Sequence, residues 1–373
     1  MQNGICTVTG IYSPEKGGPA QFSEAFSRWQ VNNDILPLAV TLTDKISHTE
    51  VLNNIEVKKI TRKQSLVLRY LKTALAIIHA HNRGFVILAN GCFLEVLLSS
   101  FFPKLKYCAK VPGDIVWERA RNKGLTTLDI IEFQKSKVNF RYRIFRQLFS
   151  LSLKRAALVI VPSLELKVLC IAWGVQEEKI HLIYNSVSLK DFYPNPNHEK
   201  KFQVLAVGRL VEWKGIRELI MVCHELNLQL ALAGSGPDFN HLMELDNQLG
   251  SRTIFLGDIS KENLRDVYNS AQFFVLNSTY EGTSHALLEA RACGTFSIAR
   301  SGVGSNDEVI SNLVDGLLVD EQNFTLKDAL EYALNNSSFV DSAQNLAVIR
   351  TKEIFDFEKN FAQIFDLVVK YSK

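Results

Sequence analysis

A chain of 373 residues is too long for one ordinary domain and suits two. With 47% hydrophobic and 22% charged residues it has the balance of a soluble globular protein, and no stretch approaches the ~18 uninterrupted apolar residues of a membrane span. The net charge of +3 decides nothing by itself, but its distribution does.

The opening "MQNGICTVTG" has no basic segment leading into an apolar core, so no secretory signal is expected. The six cysteines, 6, 92, 108, 170, 223 and 293, are scattered with no CxxC pair. They fit free thiols in a reducing cytoplasm better than a disulfide frame or a zinc site.

Along the first half, "ICTVTGIY", "ILPLAVTL", "FVILAN", "YCAKV", "ALVIVPS" and "IHLIYNS" read as buried strands. Segments of helical period such as "QSLVLRYLKTALAIIHAH" and "ELKVLCIAWG" lie between them. After the first strand, the adjacent Gly17 and Gly18 either let the backbone approach a ligand phosphate or form a loop tip. After "YCAKV", Asp114 reads as a helix N-cap or as a base toward an acceptor hydroxyl.

From Gln134 to Leu164 there is no acid, against seven bases: Lys135, Lys137, Arg141, Arg143, Arg146, Lys154 and Arg155. With "LLSSFFPKLKYCAK", which adds exposed-looking apolar residues and Lys104, Lys106 and Lys110, this makes a basic amphipathic surface. Such a surface suits anionic lipid headgroups, or it is a buried amphipathic helix with a solvated edge. No nucleic-acid module accompanies it, so nucleic acid is not expected as a partner.

The polar "DFYPNPNHEKK" reads as a linker, and the pattern then restarts with "FQVLAVGRL", "LQLALAGSG", "TIFLGD", "FFVLNS", "TFSIAR" and "DGLLVD". Alternating strand and helix predicts two doubly wound parallel-sheet domains facing one another, with ligands beyond the carboxyl ends of the strands. "VGRLVEWKG" puts Arg209 after a strand and Lys214 before a helix, either a diphosphate site or a solvated pair. The GxG at Gly234–Gly236 lacks a third glycine and is a weak dinucleotide turn.

"NSTYEGTSHALLEARACG" places Glu281 and Gly282 in a turn, Thr283 or Ser284 as a cap, and Glu289 in the helix closed by Gly294. Glu281 and Glu289 stand roughly 10 Å apart by the helical rise. That spacing admits a nucleotide sugar with a ring on each acid and its diphosphate at the helix N-terminus between them. There is no DxD pair, metal-ligand cluster, P-loop or GxSxG elbow, so neither metal nor cofactor is expected.

In their order and spacing these pieces resemble glycosyltransferase family 4, an α/β family of the GT-B fold: two Rossmann-like domains facing across a cleft. "VGRLVEWKG" matches its G-R-(x)-K-G segment and "NSTYEGTSHALLEARACG" its E-x7-E motif. The glycine pair, "IYNSVSLKDFYP" at the junction and the terminal "FDFEKNFAQIFDLVVKYSK" match as well. The resemblance implies an acceptor-binding domain at 1–190, a nucleotide-sugar domain at 191–355, and a helix at 356–373 packing back on the first.

It further implies that Arg209 and Lys214 bind the diphosphate and stabilise the departing nucleotide. Glu281 would contact the transferred sugar, Gly282, Thr283 and Ser284 would offer backbone groups, and Glu289 would hold the ribose. The implied activity is metal-independent retaining transfer from a UDP- or GDP-sugar to a glycan or lipid-linked acceptor, as in surface polysaccharide or O-antigen assembly. The place implied is the cytoplasm or the inner membrane face. An epimerase-like enzyme and a non-catalytic binding protein are the alternatives. Where many members carry a histidine in the first domain, this chain reads "PGD" at Pro112–Asp114.

Overall fold

The computed structural model of the protein describes residues 2–15, 17–128, 130–136 and 139–372. Contacts divide the chain into two compact units, one running to Tyr184 and resuming at Glu358, the other Asn185–Phe357.

The first unit begins β1 (Gln2–Thr9), α1 (Gly18–Asn32), β2 (Ile35–Thr43), β3 (His48–Leu52), β4 (Ile55–Thr61), α2 (Leu66–Asn82) and β5 (Val86–Ala89). It continues α3 (Phe93–Ser99), β6 (Tyr107–Lys110), α4 (Ile115–Asn122), α5 (Ile130–Lys135), α6 (Phe140–Arg155), β7 (Leu158–Val161), α7 (Leu164–Ala172) and β8 (Ile180–Leu182). The eight strands order as β3-β4-β2-β1-β5-β6-β7-β8, parallel except where β3 meets β4. That hairpin was not read from the sequence. Its strands are half exposed, and its turn is Asn53–Asn54, both at positive φ (49° and 65°), as a two-residue hairpin loop requires.

The second unit runs β9 (Phe202–Val207), α8 (Ile216–Glu225), β10 (Leu230–Ala233), α9 (Phe239–Leu249), β11 (Ile254–Gly257), α10 (Lys261–Asn269) and β12 (Ala271–Leu276). There follow α11 (His285–Ala292), β13 (Phe296–Arg300), α12 (Asn306–Val309), β14 (Leu317–Val319), α13 (Leu326–Asn335) and α14 (Ser337–Ile354). Its all-parallel sheet orders as β11-β10-β9-β12-β13-β14. Val204, Phe273, Val275 and Ile298 fill the core from the strands, while Leu219, Ile220 and Leu330 meet them from the helices.

The stretch read as a linker belongs to this unit. Phe192 is buried against the Tyr268 ring, the Asn195 amide donates to Asn269 Oδ1 at 2.7 Å, and Lys200 donates to the Ala271 carbonyl at 2.8 Å. The division of the chain therefore falls ahead of that polar stretch. The last helix, α15 (Phe357–Ser372), joins the first unit, where Phe361 packs edge-on to Phe22 and Phe26 of α1.

Candidate functional site

In the second unit β9 lies between β10 and β12, so the sheet order reverses between β9 and β12. Loops leaving the carboxyl ends of two such strands splay apart and open a crevice. β9 ends at Val207 and releases Gly208 and Arg209, a 3-10 turn at Glu212–Lys214, and then α8. β12 releases Asn277 to Ser284 and then α11.

The two loops are joined. The Thr279 amide donates to the Trp213 carbonyl at 2.8 Å, and Lys214 Nζ pairs with Glu281 Oε1. Both side chains of that pair are largely buried, at 19% and 12% exposure. Arg209 is exposed and makes no hydrogen bond or ion pair among the described residues. One cation is thus held beside a carboxylate while the other projects freely.

Neighbouring loops fix these positions. Glu218, in the first turn of α8, accepts from Asn277 at 2.8 Å and from Arg300 at 2.9 Å, while Asn277 also donates to the Gly215 carbonyl. The start of α8 is thereby tied to the ends of β12 and β13. Gly304, at φ 56°, brings the loop after β13 so close that an added Cβ would stand 2.2 Å from the Gly282 carbonyl oxygen. Only glycine allows that approach. The Ser305 amide then donates to the same oxygen at 3.0 Å.

On the other side, a Cβ on Gly234 would stand 1.9 Å from the Gly208 carbonyl oxygen, and the Leu210 amide donates to the Ser235 carbonyl. The "GSG" motif therefore packs directly against the Arg209 loop.

α11 starts from Ser284, whose hydroxyl accepts from the Leu287 amide, so the cap falls on the second of the two candidates. Buried Thr283 offers its carbonyl to Asn185 at 2.9 Å. Further along, half-buried Glu289 accepts a 2.8 Å hydrogen bond from the hydroxyl of fully buried Tyr268. Burial pushes the Glu289 carboxyl up to about 7, against the opposing pull of the Tyr268 hydrogen bond and of Lys261. Tyr268 and Asn185 were not read as site residues. Each acts across a long sequence separation, and neither has a local signal.

In the first unit, Gly17 is the uncapped N-cap of α1 and Gly18 its first residue. They follow β1, the strand at which that sheet's order reverses. Asp114 caps α4: one oxygen accepts from the Val116 and Trp117 amides and the other from Gln134 at 2.8 Å. It is 1% exposed, and burial raises its pKa. One oxygen caps the helix and the other is held by the Gln134 side chain.

The basic surface needs one correction. Lys110, expected there, is buried at the end of β6 with its ammonium 4.4 Å over the Phe22 ring, and burial lowers its pKa to about 7. The strand continues straight into the core, so its last side chain cannot reach the surface. Arg146 is half-buried and bonds the Phe133 carbonyl, whereas Lys104, Lys106, Arg141, Arg143, Lys154 and Arg155 are exposed. Lys137 lies outside the described residues. Among the described residues no cluster of His, Cys, Asp or Glu is arranged to hold a metal, and no helix is long and apolar enough to cross a membrane.

Residues 189–348 match the family described as glycosyl transferases, group 1. The second unit is a group 1 glycosyl transferase domain. The family 4 resemblance carried by its motifs is borne out.

Among relatives, an uncharacterized glycosyltransferase of Methanocaldococcus jannaschii is 34% identical over 193 residues, 46% of this chain and 49% of its own. A GDP-mannose-dependent alpha-mannosyltransferase of Corynebacterium glutamicum is 33% identical over 44% of this chain and 39% of its own. An O-antigen chain mannosyltransferase of Salmonella typhimurium is 30% identical over 52% of this chain and 55% of its own. The chain thus spans about half the length of the relatives it matches.

Two solved structures align over nearly the whole chain. Sucrose-phosphate synthase of Thermosynechococcus elongatus gives a TM-score of 0.82 at 20% identity, covering 99% of both chains. Anabaena HepE in complex with UDP-glucose gives 0.76 at 18% identity, covering 98% of this chain and 100% of its own. At such identities the likeness speaks for the fold alone, and that fold is GT-B, with the group 1 domain as its C-terminal part.

Proposed function

We propose that the chain is a retaining glycosyltransferase that moves a sugar from a UDP- or GDP-sugar to a glycan or lipid-linked glycan, without a metal, in surface polysaccharide or O-antigen assembly. The observation that carries the reading is that four candidate groups follow the two strands that flank one sheet reversal, with Lys214 and Glu281 in contact. Arg209 and Lys214 come from β9, and Glu281 and Glu289 come from β12. The GDP-mannose-dependent and O-antigen mannosyltransferase relatives support it, as does the nucleotide sugar bound by the Anabaena protein.

In this reading Arg209 and Lys214 meet the diphosphate and the charge that develops as it leaves. Glu281 holds the sugar, with Gly282, Thr283 and Ser284 offering backbone groups beside it. Glu289 accepts from the ribose hydroxyls, and in the first unit Gly17 and Gly18 are the candidates for offering backbone amides to a ligand phosphate. The acceptor is attacked on the face the nucleotide leaves, which preserves configuration. In this reading an anionic membrane surface meets the exposed bases of α6.

A thermal-shift screen against UDP- and GDP-sugars tests this. A ligand at 100 times its Kd stabilises by about 2.7 kcal/mol. Arg209→Ala and Glu289→Ala should each largely abolish the response. If both variants respond like the parent, the site is misplaced.

A second expectation follows from the Glu289 carboxyl. Ribose hydroxyls donate to the ionised acid, so binding competes with its protonation near 7. With a nucleotide sugar, whose diphosphate does not titrate in this range, the Kd should tighten about tenfold from pH 6 to pH 8. Calorimetry at pH 6.5 should show proton release on binding. Glu289→Gln should bind weakly at every pH with a flat profile; a pH dependence surviving in that variant assigns the titration elsewhere.

A further inference from the structure

The first unit carries an apolar surface on three helices. The connections β4 to β5, β5 to β6 and β6 to β7 all advance in the same direction along the sheet, so right-handed crossovers put α2, α3 and α6 in one layer on one face. α3 packs against both of the others. Each helix has a proper inner face: Ala74 and Ile77 on α2, Val96 and Leu97 on α3, Phe149 and Leu153 on α6.

The outer faces are not uniformly polar, as a solvated layer would require. On α2, Val67, Leu71 and Leu75 recur every four residues at 70%, 48% and 63% exposure. On α6, Ile144, Leu148 and Leu151 form a second exposed stripe. Leu98 and Phe101, at the end of α3, stand exposed between them, with the Arg155 guanidinium over the Phe101 ring. Exposed apolar stripes on three helices packed side by side mark an interaction site rather than ordinary surface.

Charge selects the occupant. Between Val57 and Gly113 the sole acid is Glu95, which is buried at 4% exposure, and between Phe133 and Leu164 there is none. Exposed cations stand among the stripes, including Lys72 on α2, Lys104 after α3, and Arg141 and Lys154 on α6. A second copy of the chain would bring these like charges together with nothing to neutralise them. An anionic bilayer neutralises them with lipid phosphate while its acyl boundary takes up the apolar side chains.

We infer that the α2–α3–α6 layer is the surface by which this unit lies on an anionic membrane, with all three helices in contact. The inference rests on the membrane reading above and deepens it from one basic helix to an oriented plane.

The test is co-sedimentation of the full chain at physiological salt with vesicles of phosphatidylcholine alone or mixed with phosphatidylglycerol. The parent should bind the mixed vesicles and leave the neutral ones. Val67→Ser/Leu71→Ser/Leu75→Ser, on the helix the basic-patch reading omits, should weaken binding at least about tenfold, because affinity scales with the apolar area inserted. Lys72→Glu should weaken it about fivefold or more, the scale of one basic residue at such a surface. All of these side chains are exposed, so melting temperature and response to nucleotide sugar should match the parent.

If the α2 variants bind fully while Ile144→Ser/Leu148→Ser/Leu151→Ser does not, α6 alone is the anchor and the plane is overturned. Failure of the parent to bind anionic vesicles overturns the membrane reading with it. A dimer that the α2 triple variant dissociates makes the layer a self-association face and likewise overturns the inference.

Discussion

Asp315→Ala is expected to lower the stability of the C-terminal unit by about 3–5 kcal/mol, the scale of breaking a buried ion pair from one side. Asp315 is 2% exposed and accepts from Arg291 at 2.9 Å and from Arg350 at 3.2 Å. Its second oxygen takes the Ser311 amide at 2.8 Å. Arg291, on α11, is wholly buried and also bonds the Asp315 carbonyl. Removing the carboxylate leaves two guanidiniums facing each other, one with no route to water.

Arg291→Met should cost less. It removes the charge along with its desolvation, fills much of the same volume, and leaves Asp315 paired with Arg350. Urea titration of both variants checks the order; a loss below about 1 kcal/mol for Asp315→Ala would mean the ion pair is relaxed by solvent. The functional consequence reaches Glu289, two residues before Arg291 on the same helix. On the proposed function, a loosened α11 should weaken nucleotide-sugar binding even where the unit remains folded.

That contrast separates what was legible in the sequence from what was not. Each strand of both sheets that is buried on two faces appeared as a short apolar run, because a parallel strand under helices must be apolar throughout. β3 and β4 did not, since their faces are half exposed and their evidence lay in two asparagines. The order of motifs located Arg209, Lys214 and Glu281 on strand-end loops and Glu289 in the helix that follows. Their settings are tertiary: Lys214 pairs with Glu281 across 67 positions, Glu289 is held by Tyr268 across 21, and Asp315 meets Arg291 across 24. No periodicity reports such contacts. Gly234 read only as part of a weak dinucleotide turn and Gly304 carried no reading at all, although each is required by the backbone of another loop. Lys110 erred in the opposite sense, since a basic residue at a strand end gives no sign that the strand runs on into the core.

Arg209→Ala should reduce kcat by about 10²–10³-fold, the effect of removing one preorganised charge from a developing anion. Because Arg209 is exposed and has no partner among the described residues, the free protein should melt as the parent does. Lys214→Ala should cost similar activity for a different balance of reasons. Its ammonium offsets Glu281 in the free protein, so its loss leaves a largely buried carboxylate unpaired and lowers stability as well. Glu281→Gln added to Lys214→Ala should restore part of that stability without restoring activity, and the pair should be non-additive, as groups in contact are. Arg209→Ala combined with Lys214→Ala should instead approach additivity in kcat if the two cations meet different phosphate oxygens. Retention of parental kcat by Arg209→Ala would remove this arginine from the reaction and leave the leaving-group charge to Lys214 and the helix amides.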